Sequence, residues 1–152
     1  MGLGIESTSE SGSAVPERAL LDTGVLVAYL HRDDQAHVKS VEALAAFRGT
    51  LLTTEPVLTE SVYLMGRVRG GADACLEFFI RGGAVLVPSS RESLVKCKAL
   101  RARYANLDPD LADLTLVALG DEMRAYTVFT LDRRGFSTYR GERGKAFEVR
   151  PR

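Results

Sequence analysis

The chain has 152 residues, enough for one self-sufficient core, and its 20 Lys plus Arg balance its 20 Asp plus Glu to a formal net charge of zero. That neutrality excludes a chain-wide basic field of the kind that draws in polyanions, and no apolar run approaches the ~20 residues needed to span a bilayer. A hydrophobic share of 45% with 26% charged residues is that of an ordinary soluble protein.

Residues 1–18 are rich in Ser and Gly, lack the basic start and apolar middle of a signal peptide, and are expected to form a disordered tail. A single domain is expected over 19–152. It opens on "ALLDT", a short apolar strand. "GVLVAYLHR" and "QAHVKSVEALAAF" read as helices, the second with Val38, Val41, Leu44 and Ala45 on one face. "TLLTT" (Thr50–Thr54) is a second strand, and "EPVLTESVYLMGRV" a helix with Pro56 in its first turn, where proline is tolerated. Gly70–Gly71 breaks the chain before a shorter helix, "DACLEFFI", which ends at Gly82–Gly83. "AVLVP" is a third strand, and "SSRESLVKCKALRARY" a helix with a Ser cap and an early Glu. "DPDLADLTLVALGDEM" is a further helix, "TVFTL" a fourth strand with a turn after Asp132, and "AFEV" a fifth. Strands separated by helices imply right-handed crossovers, hence an α/β domain whose parallel sheet of four or five strands carries helices on both faces. Ligands bind such sheets outside the carboxyl ends of the strands. Cys75 and Cys97 are far apart, with no CxxC spacing, and read as reduced thiols of a cytoplasmic protein. His31 and His37 read as surface or packing residues.

Four carboxylates fall at telling places. Asp22 directly follows strand one, and Asp132 follows strand four; each alone is equally well explained as a turn or capping residue. Glu60 lies about 40° outside the apolar arc of its helix, made by Val57, Leu58, Val62, Leu64, Met65 and Val68, at ~100° per residue. There it reaches either water or the rim of a cleft. Asp113 stands in a helix that is apolar almost all round, and Asp110, which precedes that helix, is the better cap. An ionised Asp113 in such surroundings needs a cation or several donors. Two strand ends, a helix start and a helix flank can converge, and carboxylates so packed repel unless a cation compensates. An all-oxygen set without His or Cys suits Mg²⁺ or Mn²⁺ and the chemistry of metal-assisted phosphodiester hydrolysis.

In order and spacing, "LLDTGVLVAYL", "TTEPVLTESVYL", "DLADLTLVAL" and "VFTLDRRGF" resemble the acidic motifs of PIN-domain proteins, the VapC-type toxins of toxin–antitoxin pairs above all. The resemblance runs from about Ala19 to Val149. It implies a three-layer α/β/α domain and Mg²⁺- or Mn²⁺-dependent endoribonuclease activity, with Asp22, Glu60, Asp113 and Asp132 as metal ligands. Thr130, two residues before the fourth acid, matches a family position that holds a water or an acid. A homodimer and a cognate antitoxin are also implied. One departure is Gly24, where many members carry Ser or Asn.

An acidic cleft needs cations beside it to receive a polyanion. Only Lys39, Lys96, Lys98 and Lys145 are lysines; the rest are arginines, whose planar fork suits phosphate. Arg133 and Arg134 adjoin Asp132, and Arg67 and Arg69 lie beyond Glu60; Arg101, Arg103, Arg140 and Arg143 are weaker candidates for RNA contact. A non-catalytic PIN-like RNA- or protein-binding module is the alternative reading, though it has no need to bear the repulsion of four acids. A haloacid-dehalogenase-like phosphatase would want an Asp where Gly24 sits, and a response-regulator receiver a late Lys where "TLDRRGF" has none.

Overall fold

A computed structural model of the chain describes residues 16–152; up to residue 15 the expected tail lies outside the described residues. The elements run β1 (Arg18–Leu21), α1 (Thr23–Leu30), α2 (His37–Ala46), β2 (Thr50–Thr53), α3 (Glu55–Met65), α4 (Gly71–Ile80), β3 (Val85–Leu86), α5 (Arg91–Arg103), α6 (Leu111–Met123), β4 (Thr127–Phe129), α7 (Arg133–Thr138) and β5 (Glu148–Arg150). The five strands form one sheet in the order β3-β2-β1-β4-β5, every pair parallel.

Strand residues alternate between the two faces, as a period of two requires. Ala19, Leu21 and Phe129 pack with Val25 and Leu26 of α1, Met65 of α3 and Cys75 of α4. Leu20, Leu52 and Val128 pack on the other side with Leu116, Val117 and Leu119 of α6, Phe136 of α7, and Tyr139 and Phe147. The result is the expected three-layer α/β/α arrangement. Among the described residues, no helix is long and apolar enough to cross a membrane.

The strand order carries the functional consequence. The chain steps from β1 outward through β2 to β3, then returns to the far side of β1 to lay down β4 and β5. Neighbouring strands β1 and β4 therefore send their following segments to opposite sides of the sheet, opening a crevice at their carboxyl ends. The backbone N–H of Asp22 still donates to the Phe129 carbonyl at 2.9 Å, so the two strand ends are tied where they part.

Several sequence expectations need correction. A short helix, α7, stands where the sequence suggests a turn after Asp132: Asp132 caps it, and Phe136 inside it, with Tyr139 just beyond, is buried in the core. Strand β3 keeps only Val85 and Leu86 of "AVLVP", because it is an edge strand with one partner. Helix α3 stops at Met65 instead of running on to Val68. The Ser90 cap of α5 is closed reciprocally by Ser93, not by a glutamate. Val38 is 66% exposed, so the apolar face expected for α2 is not buried along its whole length. Val25, Leu26 and Ala28 of α1 are covered by this chain's own core. Cys75 and Cys97 are buried, free, and in separate clusters. His37 packs through Nδ1 against the Ala28 carbonyl at 2.7 Å.

Thr53, fully buried at the end of β2, donates its hydroxyl to the Leu21 carbonyl at 2.7 Å and so braces the residue before Asp22. Thr53→Val keeps the shape and removes the bond, and should cost about 1 kcal/mol of unfolding free energy, measured by urea titration.

Candidate functional site

The site is built on Asp22, which ends β1 and is 7% exposed. Its Oδ1 accepts the Thr23 N–H at 2.8 Å, making it the N-cap of α1. Its Oδ2 accepts the Thr130 hydroxyl at 2.7 Å from across the crevice. The same hydroxyl accepts the N–H of Asp132 at 2.9 Å. Thr130 is itself fully buried. One hydroxyl thus couples the acid after β1 to the acid after β4, and Thr130 holds an acid in place.

Asp132 caps α7 by accepting the Gly135 N–H on Oδ1 at 3.0 Å. The carboxylate lies so close over Gly135 that a Cβ there would collide with Oδ2 and push the acid from this position. Asp113, in the first turn of α6, receives the Tyr139 hydroxyl on Oδ2 at 3.3 Å. Tyr139 is 2% exposed and held by edge-on contacts with Tyr104 and Phe136. Glu60, half-buried on α3, accepts the Thr23 hydroxyl on Oε2 at 3.3 Å.

Two participants escape the sequence reading. Asp110 is there assigned as the cap of α6, and it does accept the Asp113 N–H at 2.8 Å. Its charge also bears on Asp22, Glu60 and Asp113, which makes it a fifth acid of the same cluster. The signal is its spacing of three from Asp113, which a capping role alone already accounts for. Tyr139 has no signal, because its position depends on the unforeseen α7.

The electrostatics follow from crowding and burial. Burial chiefly raises the Asp22 carboxyl to about 6; the bonds from Thr130 and Thr23 oppose this, and Asp110 and Glu60 add to it. Burial likewise leads in raising Asp113 to about 7, reinforced by Asp110, Asp22 and Asp132 and opposed by the Tyr139 bond. Glu60 is raised for the same reasons, burial first and then Asp110. Such acids favour a proton or another cation. Among the described residues, no three of them close on one point as a ready-made ion cage would. What unites them is an all-oxygen donor set and shared negative charge, the chemistry of a hard divalent cation.

The cations are placed unequally. Arg133 and Arg134 occupy the first turn of α7 beside Asp132 and are exposed, with Arg133 Nη1 donating to the Pro151 carbonyl at 2.7 Å. Arg67 and Arg69 are not brought to the acids: both lie beyond the end of α3, and Arg67 stacks over the Tyr63 ring at 5.5 Å. At Gly24 a Cβ would meet Leu131 at 3.3 Å, so that position abuts an apolar side chain; on this segment it is the neighbouring Thr23 whose hydroxyl reaches an acid, Glu60.

The sequence and the fold both have counterparts among known proteins. The chain is 30% identical over 135 residues to ribonuclease VapC26 of Mycobacterium tuberculosis, covering 87% of this chain and 99% of that protein. Its fold resembles the crystal structure of Mycobacterium tuberculosis VapC20, a sarcin-ricin loop cleaving toxin, with a TM-score of 0.67 at 16% identity over 77% of this chain and 92% of that one. It also resembles a chain of VapBC2 from Rickettsia felis, solved bound to a promoter DNA fragment (TM-score 0.62, 17% identity, 87% and 98% covered). A toxin–antitoxin complex from Klebsiella pneumoniae gives a TM-score of 0.62 at 18% identity, with 79% and 91% covered. The PIN domain family model matches residues 19–142, a span that holds all five clustered acids, and the chain belongs to the PIN domain family.

Proposed function

We propose that the chain is a Mg²⁺- or Mn²⁺-dependent endoribonuclease and the toxin of a type II toxin–antitoxin pair, acting in the cytoplasm. The observation that carries this is the gathering of Asp22, Glu60, Asp113 and Asp132, with Asp110, at the crevice between β1 and β4, where burial and mutual repulsion raise Asp22 to about 6 and Asp113 to about 7. A cluster that costs stability in this way calls for a compensating cation. The near full-length similarity to VapC26, a ribonuclease, supports RNA as the polyanion cut. The Rickettsia felis and Klebsiella pneumoniae toxin–antitoxin structures support a cognate antitoxin as partner.

Asp22, Glu60, Asp113 and Asp132 would hold the ion. When bound, it supplies a lowered pKa for the attacking water and stabilisation of the leaving oxygen. The chain's own residues do the positioning. Thr130 keeps Asp22 turned toward Asp132, Tyr139 orients Asp113, and Thr23 steadies Glu60. Arg133 and Arg134 oppose the dipole of α7 at its N-terminus, where a cation costs ~0.3–1 kcal/mol. Their place is better explained by steadying RNA phosphates beside the acids.

Asp22→Asn and Asp113→Asn should each abolish metal-stimulated RNA cleavage while leaving the circular dichroism spectrum and cooperative melting intact. Cleavage that survives either change, or excess chelator, would exclude the mechanism.

The raised carboxyls fix a pH dependence. Their folded values of about 6 and 7 lie above the ordinary 3.8, so their contribution to stability is fully present below about pH 3.8 and is lost as pH rises through 6 and 7. Metal-free protein should therefore lose melting temperature between pH 5 and pH 8, and Asp113→Asn should flatten that loss. Millimolar Mn²⁺ should raise the melting temperature more at pH 8 than at pH 5, read by calorimetry.

We also propose a homodimer. Leu94 and Val95 on α5 are 51% and 65% exposed and Ile80 on α4 is 76% exposed, apolar surface available to a second copy. Light scattering at tens of micromolar, the scale of ordinary interface affinities, should give twice the monomer mass.

A further inference from the structure

Along α5, Lys96, Ala99, Leu100 and Arg103 recur at spacings of three, one and three, so they form one stripe of the helix. Facing that stripe is a hairpin closed by the antiparallel bridge between Arg140 and Ala146. Between the two lies a cleft of about 520 Å³, whose lining includes Arg103, Arg140, Arg143 and Lys96. The lining also holds two acids, Asp121 and Glu142. Asp121 Oδ1 accepts the Tyr126 hydroxyl at 3.0 Å and the Glu142 N–H at 2.8 Å, and Glu142 pairs with Lys96 at 3.5 Å. Among the described residues, no carboxylate pairs with Arg103, Arg140 or Arg143. The lining thus sets four cations against two acids, a net positive concavity in a chain of zero net charge, and its crowded guanidiniums favour an anion among them.

The hairpin is built to present one of them. Arg143 has φ 59, in the left-handed region where a side chain costs ~1–2 kcal/mol and glycine is the usual occupant. Gly144 directly follows it. Arg140 is braced differently, with Nη1 donating to the carbonyls of Ser137, Thr138 and Tyr139, all neutral partners that leave its charge in place.

The cleft is also joined to the acids. Arg103 precedes Tyr104, whose hydroxyl accepts the Arg140 N–H at 2.9 Å. Tyr104 stands edge-on to Tyr139 at 5.1 Å, and Tyr139 donates to Asp113. The Arg140 backbone at the cleft is thus linked through two edge-on rings to Asp113.

We propose that this cleft is a phosphodiester-backbone track, which takes the single-stranded RNA flanking the bond to be cut. The proposal rests on the ribonuclease reading for its substrate, but its test is separable. In an Asp113→Asn background, which keeps RNA whole, the double change Arg103→Gln and Arg143→Gln should weaken binding of a single-stranded RNA about tenfold in fluorescence anisotropy. It should also flatten the slope of log affinity against log salt by about 1.4, at ~0.7 for each phosphate no longer neutralised. Arg48→Gln with Arg81→Gln removes the same charge from segments leading into the amino ends of β2 and β3, and should change neither. Arg143→Gly relieves the backbone as it removes the charge, so it should melt no lower than its parent while binding RNA more weakly. In an otherwise native chain, the Arg103 and Arg143 pair should raise KM for cleavage and leave kcat in place. Equal losses from both double variants, or an unchanged salt slope, would overturn the track. So would RNA binding that is independent of RNA length and fully displaced by inorganic phosphate, which would mark a single-anion pocket. If native protein cuts no RNA at all, the ribonuclease reading fails, while the binding comparison still judges the track.

Discussion

The bond from the Thr130 hydroxyl to Asp22 is the contact on which the rest of the site depends. Asp22 emerges from β1 and Thr130 from β4, two strands adjacent in the sheet but separated by most of the chain. Between them the crossover direction reverses, so the polypeptide on either side departs toward opposite faces. A carboxylate left in that gap is desolvated by both departing segments and would be held by nothing in its own strand. Thr130 supplies a donor to it and an acceptor to the Asp132 backbone, closing the gap with one side chain. Thr53 does matching work from β2, at the carbonyl just before Asp22.

Around this joint three of the acids also do the structural work that the sequence sets against a functional reading. Asp22, Asp110 and Asp132 cap α1, α6 and α7 respectively, so the bland explanation for each is correct. Capping also explains how the cluster can exist. A cap carboxylate accepts backbone N–H groups at the positive end of a helix dipole, which favours its charge. Three helices aim that end at one crevice. The fold thereby offsets part of the repulsion among the acids with its own backbone, while burial first and the remaining repulsion second keep Asp22 and Asp113 raised.

Most of the element order was legible because buried segments on a parallel sheet must be apolar and must alternate with helices. Asp22, Asp113 and Asp132 were legible by contrast, as charges set against apolar runs. Strand order was not legible from pattern alone, since β1 pairing with both β2 and β4 is decided by long-range packing. Helix α7 was missed for a local reason. It is six residues long, begins with two arginines opposed to its dipole, and contains a glycine, so nothing intrinsic favours it. It forms because Asp132 caps it, Gly135 admits that cap, and Phe136 and Tyr139 anchor it in the core. Arg67 and Arg69 fall past the end of α3 at Met65, so the helix that places Glu60 does not fix where they lie.

Tyr139 joins these two lessons. Its hydroxyl reaches Asp113 from the end of α7, and the cap that Asp132 forms over Gly135 helps to hold that helix. One acid of the cluster therefore sets up the residue that positions another. That linkage passes through the Tyr104–Tyr139 ring pair to the Arg140 backbone, and so to the basic cleft beyond it. The aromatic pair lets this half of the domain keep acids and arginines close without letting them neutralise one another. Rings fill the space between, exclude water from the core side, and spend their polar atoms on opposite partners: Tyr139 on a carboxylate, Tyr104 on the backbone beneath a guanidinium. Direct pairing of Arg140 with Asp113 would quench both charges.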